Sequence, residues 1–217
     1  MPIQGGADDA GRGCLIGPLV IAGVSIETAR VKKLRKMGVR DSKTLSPNRR
    51  EDLYEQILGV CNAVRVVRIT PGEIDQFVRS GVKYRKLNYL EAIYFAKVLD
   101  GLGVASAVVD ASDSSPRRFG SVILEHMRKK CRLLSAHKAD RDYPVVSAAS
   151  VIAKVERDRA VARLRRELGD FGSGYPSDPA TRSFFLARMK RGEPVPSSVR
   201  ASWKTWDGFR QTLLTEA

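Results

Sequence analysis

Residues 6–23 read GADDAGRGCLIGPLVIAG, and three parts of this stretch set the architecture. Leu19 to Val24 form an apolar, partly β-branched run of strand length. The glycines between 11 and 17 mark a turn ahead of it. The residues before that turn, 4–9, are too polar to be recognised as a buried strand by periodicity alone, yet they carry two adjacent acids, Asp8 and Asp9.

Working outward, residues 63–69 (AVRVVRI) mix β-branched side chains with two arginines and predict another strand. Residues 105–110 (ASAVVD) predict a short, well-buried strand that closes on an acid, and 131–134 supply a further one. Helical signals fall between these runs. Ser46-Pro47 with Glu51 opens one helix, and Thr70-Pro71-Gly72-Glu73 opens another with the spacing of a capping box. Residues 84–102 carry Leu87, Leu90, Tyr94 and Val98 at three- and four-residue steps, and 117–130 and 144–168 complete the central set. Residues 169–178 (GDFGSGYPSD) read as a loop, Asp178-Pro179 caps a last helix through 190, and 192–198 is irregular. Residues 206–217 are either a helix or a docking tail. Strands first, then strands alternating with helices, predict an α/β sheet that is antiparallel at its start and parallel afterwards. In such sheets chemistry gathers at strand ends.

With 217 residues the chain holds one good-sized core. Its 38 Lys and Arg against 24 Asp and Glu leave a net charge of +14, which favours a polyanionic partner, nucleic acid first. Residues 117–166 alone carry 14 basic and 5 acidic side chains, part of them a solvated helical face over 154–166. Three scattered cysteines without CxxC spacing suggest neither a disulfide framework nor a zinc site, and fit a reducing interior. Two histidines make Ser/His/Asp, Cys/His and HExxH chemistry hard to assemble, so carboxylates are the remaining chemical resource. No apolar stretch is long enough to span a membrane and no secretory leader is visible, so the expected location is the cytoplasm.

Four acids stand out. Neighbours on a strand point to opposite faces, so Asp8 and Asp9 serve one site only if the second lies at a bend, which Gly11 and Gly13 permit; the ordinary alternative is an Asx-type turn. Asp110 closes a buried strand, although a turn-forming role with Ser112 and Ser114 explains it equally well, and Asp113 is a rival in the same loop. Asp140 leads into the helix at 144, whose opening small residues (PVVSAAS) suit tight packing on a sheet. If these carboxylates converge, two hard cations with oxygen ligands would supply the countercharge that proximity demands and promote phosphodiester displacement.

Taken together, GADDAGRGCLIGPLVIAG (6–23), RDSKTLSP (40–47), VVDASD (108–113), HKADRDYPVVSAASVIAKVERD (137–158), GSGYPSDPAT (172–181) and RASWKT (200–205) resemble ribonuclease HII, in particular its archaeal branch. The resemblance covers nearly the whole chain, in order. It implies a ribonuclease H-like fold with a mixed five-stranded sheet flanked by helices: a catalytic domain over 1–170 and a C-terminal helical extension over 171–217 that packs on it and contributes to substrate binding. It implies endonucleolytic cleavage of the RNA strand of RNA/DNA hybrids and of ribonucleotides embedded in DNA, with Mg²⁺ or Mn²⁺, leaving 5′-phosphate and 3′-hydroxyl ends. By motif position Asp8, Asp9, Asp110 and Asp140 correspond to the four metal-binding acids, while Asp113 stays outside that set. Gly11, Arg12 and Gly13 match the loop that reads the 2′-hydroxyl through backbone contacts, consistent with glycine permitting main-chain approach. Tyr175 matches the tyrosine that packs on the adjoining deoxyribose, and Lys43 and Lys138 are phosphate-contact candidates.

One departure from the pattern matters. The family usually has Glu after the first Asp, where this chain has Asp9, one methylene shorter. Two rival readings follow: a nucleic-acid binding protein in which Asp9 has impaired turnover, and a structure-selective DNA nuclease on the same fold. A monomer is expected. A sliding clamp stays open as a partner, although residues 211–214 (QTLL) lack the aromatic pair of a clamp-binding box.

Overall fold

The computed structural model describes residues 2–39, 45–80 and 86–215, so Lys43 lies outside the described residues. Five strands form one sheet: β1 (Ile3–Ala10), β2 (Leu19–Glu27), β3 (Ala63–Ile69), β4 (Ser106–Asp110) and β5 (Arg132–Ala136). Their order is β3-β2-β1-β4-β5, with β2 antiparallel to β1 and β3, and with β1, β4 and β5 mutually parallel. This is the mixed sheet the pattern predicts.

The polar stretch ahead of the glycine turn is the central strand. In β1 the residues from Gly5 to Asp8 are buried, and the small side chains explain why hydropathy does not show it. A Cβ on Gly6 would lie 2.6 Å from the carbonyl oxygen of Val145, so a helix backbone rests directly on the strand backbone there. That helix is α7 (Pro144–Leu168), preceded by the short α6 (Ala139–Asp142). Together with α1 (Val31–Lys36) and α2 (Pro47–Val60) it covers one face of the sheet, burying Ala148, Val151 and Ile152 against Val20, Ala22 and Val24. The other face is covered by α3 (Pro71–Arg79), α4 (Leu87–Leu102) and α5 (Pro116–His126), whose Ile74, Phe95, Leu99 and Phe119 pack on Ala7, Ile21 and Val109.

The helix starts follow the signals in the chain. Ser46 accepts from the Arg49 N–H, Thr70 and Glu73 form the reciprocal capping box, and Asp178 accepts from the Ala180 N–H. The helix predicted over 117–130 ends earlier, at His126, and the one read from 84 is described from Leu87. Residues 179–190 form α8 (Pro179–Lys190), but it is not the last helix, since α9 (Thr205–Thr215) follows. A third cluster joins Leu15 and Ile16 to Phe171, Phe185, Trp206 and Phe209, with the rings from Phe184 to Phe209 meeting edge to face. The C-terminal helices thus pack on the glycine-rich loop that follows β1.

Candidate active site

Parallel pairing of β1 with β4 sets Ala7 opposite Val109, and one step further along both strands brings Asp8 beside Asp110. The expectation that Asp9 must lie at a bend is not how the chain solves the geometry. β1 runs on through Ala10, and the turn comes at Gly11, whose φ is 86°. Asp8 is directed to α7, where Ser150 and Lys154 face it, and Asp9 is directed to the α4 side, where Arg12 and Ser112 face it. Because the strand ends there, both faces open on one cleft of about 540 Å³.

That cleft is lined by Asp8, Asp9 and Asp110, by Gly11, Arg12 and Gly13, and by Tyr175, and its far wall carries Arg50, Lys154, Arg157 and Asp158. Asp140 is 3% exposed at the first turn of α6 and lies outside this lining, as does Lys138. Asp140 adjoins Asp110 through Ala139, whose N–H donates to Asp110 Oδ1 at 2.7 Å. Lys138 is exposed and has φ 56°, the one left-handed non-glycine among the described residues. Each cleft acid is held by a protein donor: Asp8 Oδ1 accepts from the Asp9 N–H at 2.8 Å, and Asp9 Oδ1 accepts from Ser112 Oγ at 3.0 Å. Among the described residues no three His, Cys, Asp or Glu side chains stand together at metal-binding spacing.

The electrostatics are strained in one direction. Burial first, and then the neighbouring Asp9 and Asp110, push Asp8 up to about 8, against Ser150 and Lys154. Burial also raises Asp9, while Ser112 and Arg12 oppose it. An oxygen-only donor set in which the acids resist ionising together suits hard divalent cations, which need carboxylates and supply positive charge.

Asp113 has a different task. Burial works to raise it, but the Ser115 N–H, Asn88 and Arg118 hold it below the ordinary carboxylate value. It anchors Asn88, whose Oδ1 accepts from Arg12, and Arg12 Nε lies 3.0 Å from Glu91 Oε1. The Arg12 side chain is therefore tied to α4.

Tyr175 stands beside Gly13, with the Arg157 guanidinium 4.9 Å from its ring centroid. Arg157 also donates to the Ser173 carbonyl at 2.6 Å and to Cys14 Sγ at 3.0 Å, which ties the Tyr175 loop to α7 and to the turn after β1. Sequence reasoning missed Arg50, Lys154, Arg157, Asn88, Glu91 and Arg200. A signal existed for two of them: Ser147, Ser150, Lys154 and Arg157 recur at helical three- and four-residue steps, which puts them on one face of α7.

A mixed sheet with acids gathered at the end of its two central strands, walled by basic side chains and opened by a glycine loop, defines a polynucleotide-cleaving enzyme of the ribonuclease H-like class. The family model for ribonuclease HII matches residues 5–206. Ribonuclease HII of Pyrococcus furiosus is 43% identical over 93% of this chain and 88% of its own length. The crystal structure of ribonuclease H2 from Pyrococcus horikoshii superposes with a TM-score of 0.88 at 38% identity, covering 98% of this chain and 99% of that one. The ribonuclease HII of Archaeoglobus fulgidus, solved in complex with PCNA, gives a TM-score of 0.88 at 41% identity, over 99% and 100%. This chain belongs to the ribonuclease HII family, and is an endoribonuclease of the ribonuclease H type.

Proposed function

We propose that this enzyme hydrolyses the RNA strand of RNA/DNA hybrids, including single ribonucleotides embedded in DNA, with Mg²⁺ or Mn²⁺, and leaves 5′-phosphate and 3′-hydroxyl ends. The observation that carries this reading is the meeting of Asp8, Asp9 and Asp110 in one cleft with the Gly11–Gly13 loop and Tyr175. Asp8, Asp9, Asp110 and Asp140 would hold the cations, Asp140 adjoining Asp110 through the Ala139 N–H. Bound there, the cations supply countercharge to the acids, a water of lowered pKa and stabilisation of the leaving oxygen.

The chain's own residues do the rest. The Gly11–Gly13 loop presents main chain to the sugar, where a hydroxyl tells RNA from DNA. Tyr175 offers an aromatic face to the next sugar, held by Arg157. Lys154 and Arg50 line the cleft and meet phosphates, and Lys138 and Lys43 are further candidates for phosphate contact. Residues 1–170 form the catalytic domain and 171–217 an extension that contributes to binding. The enzyme works as a monomer in the cytoplasm, and the PCNA complex of the Archaeoglobus protein supports a sliding clamp as partner.

Cleavage mapping on a duplex with one ribonucleotide, run in Mg²⁺ and in Mn²⁺ beside an all-DNA junction, tests this. A single cut beside the ribonucleotide is expected, with no cut in the junction. Cutting of the junction instead would make the protein a structure-selective nuclease, and tight binding without product in either metal would make it a binding protein. Asp110→Asn and Asp140→Asn should each abolish cleavage and leave hybrid binding intact; retained cleavage in either removes that acid from the metal set.

A further inference from the structure

Arg200 is 0% exposed, yet it belongs to none of the helices and lies far along the chain from the acids. Its guanidinium reaches the turn after β1. Nη1 donates to the Arg12 carbonyl at 2.7 Å, and Nη2 donates to the Gly11 carbonyl at 2.7 Å and to the Gly17 carbonyl at 3.2 Å. Its own N–H donates to the Leu15 carbonyl at 2.9 Å. Charge-assisted bonds to two successive carbonyls require a planar fork, which arginine has and lysine lacks.

The direction of those carbonyls fixes the direction of something else. In a trans peptide the N–H points opposite to the C=O of the same unit. Turning the Gly11 and Arg12 carbonyls inward to Arg200 therefore turns the Arg12 and Gly13 N–H groups outward. Gly11, Arg12 and Gly13 line the cleft and Arg200 does not, so outward means toward the substrate. Neither N–H donates to a partner among the described residues. Two adjacent main-chain N–H donors on the same side of a loop can seat a single oxygen.

Arg200 is itself held. The Asp75 carboxylate on α3 accepts from the N–H groups of Ala201 and Ser202 at 2.7 and 3.0 Å and from Ser202 Oγ at 2.6 Å. Trp206 Nε1 donates to the Arg200 carbonyl at 2.9 Å, and the Trp203 ring centroid lies 5.1 Å from the guanidinium. Residues 198–202 thus act as a strap across residues 11–17, reinforced where the Gly17 N–H donates to the Ser198 carbonyl.

We propose that Arg200 is a positioning residue for sugar recognition: through the Gly11 and Arg12 carbonyls it aims the Arg12 and Gly13 N–H pair at the 2′-oxygen of the ribonucleotide. This rests on the reading of the Gly11–Gly13 loop as the sugar reader. The role of Arg200 is indirect, because it touches the loop and never the substrate.

The test uses the full chain and two duplexes that differ at one sugar, a ribonucleotide and a 2′-fluoro nucleotide, the latter being of similar size and a poor acceptor. The wild type should cut the ribonucleotide duplex much faster. Arg200→Gln should lower kcat on it by about 10²-fold, the usual cost of an ångström-scale misplacement, with KM and hybrid affinity nearly unchanged. The preference between the two sugars should shrink by a similar factor, and Arg200→Lys should fall between. An unchanged sugar preference in folded Arg200→Gln overturns the proposal even if overall activity drops. If that variant does not fold, the same comparison on Arg200→Lys decides. A wild type with no sugar preference overturns the reading of the loop itself, and this proposal with it.

Discussion

Asp9 is one methylene shorter than the glutamate that the resemblance leads one to expect there, and the structure shows what the shorter acid meets: the Ser112 hydroxyl at 3.0 Å on the α4 side of the strand. Glutamate would reach further into the cleft from the same backbone. Asp9→Glu should therefore keep or raise kcat at fixed metal concentration; a loss of more than about 10²-fold, the scale of a misplaced catalytic group, would mean the site is built around the short side chain. Asp8 makes a prediction about pH. Its carboxyl is pushed up to about 8 from an ordinary value of 3.8, first by burial and then by Asp9. Between those two values the folded protein keeps a proton that the unfolded chain releases, so this stabilisation is present below pH 3.8 and is lost as pH rises through 8. Glu91, also pushed up to about 8 by burial and by Asp9, acts in the same window. In EDTA the melting temperature should fall between pH 5 and pH 8.5, and Asp8→Asn should flatten the slope. A slope identical to the wild type's would show that Asp8 ionises freely in the fold.

At the scale of elements, the contact between β1 and α7 positions the acids, and Gly6 makes that contact close. A methyl group at 6 would meet Val145 O at 2.6 Å and Val146 N at 2.7 Å, both backbone atoms that cannot swing aside. Gly6→Ala should cost about 1–3 kcal/mol of stability, as overpacked cores do. Calorimetry would register this as a melting point lower by about 2–4 °C per kcal/mol; no change would mean that α7 can lift off the strand. The same contact explains which elements could be read in the sequence. β3 and α7 were legible to the residue, because β-branched runs and a long helix after Pro144 announce themselves locally. The capping box at Thr70 was legible for the same reason. β1 was not, because Gly5 and Gly6 are buried through backbone contact and not through apolar side chains. Lys154 and Arg157 read as a solvated face, since spacing along a helix shows that side chains share a side but not what that side meets. Asp110 was legible as an acid closing a strand, and Asp8 and Asp9 as an adjacent pair ahead of the glycine turn; the Arg12–Asn88–Asp113 chain was not, because each link joins residues far apart in sequence.

For the molecule as a whole, the charge of +14 is not carried by the cleft lining, where Asp8, Asp9, Asp110 and Asp158 are matched by Arg12, Arg50, Lys154 and Arg157, so the net positive field comes from the surrounding surface. Hybrid affinity should fall steeply with salt, with a log–log slope steeper than about −4, equivalent to roughly five neutralised phosphates at about 0.9 each. A slope near zero would separate the charge excess from substrate binding. The strap carrying Arg200 closes a contact across 188 positions of chain, the kind that forms after local structure because so much loop must be ordered first. Both tryptophans of the protein, Trp203 and Trp206, follow within four residues of the end of that strap. Trp206 sits in the cluster around Leu15 and Ile16 while Trp203 also packs against the core under the sheet, so an emission trace during refolding should time the docking of the strap onto both, and circular dichroism the secondary structure on which it docks.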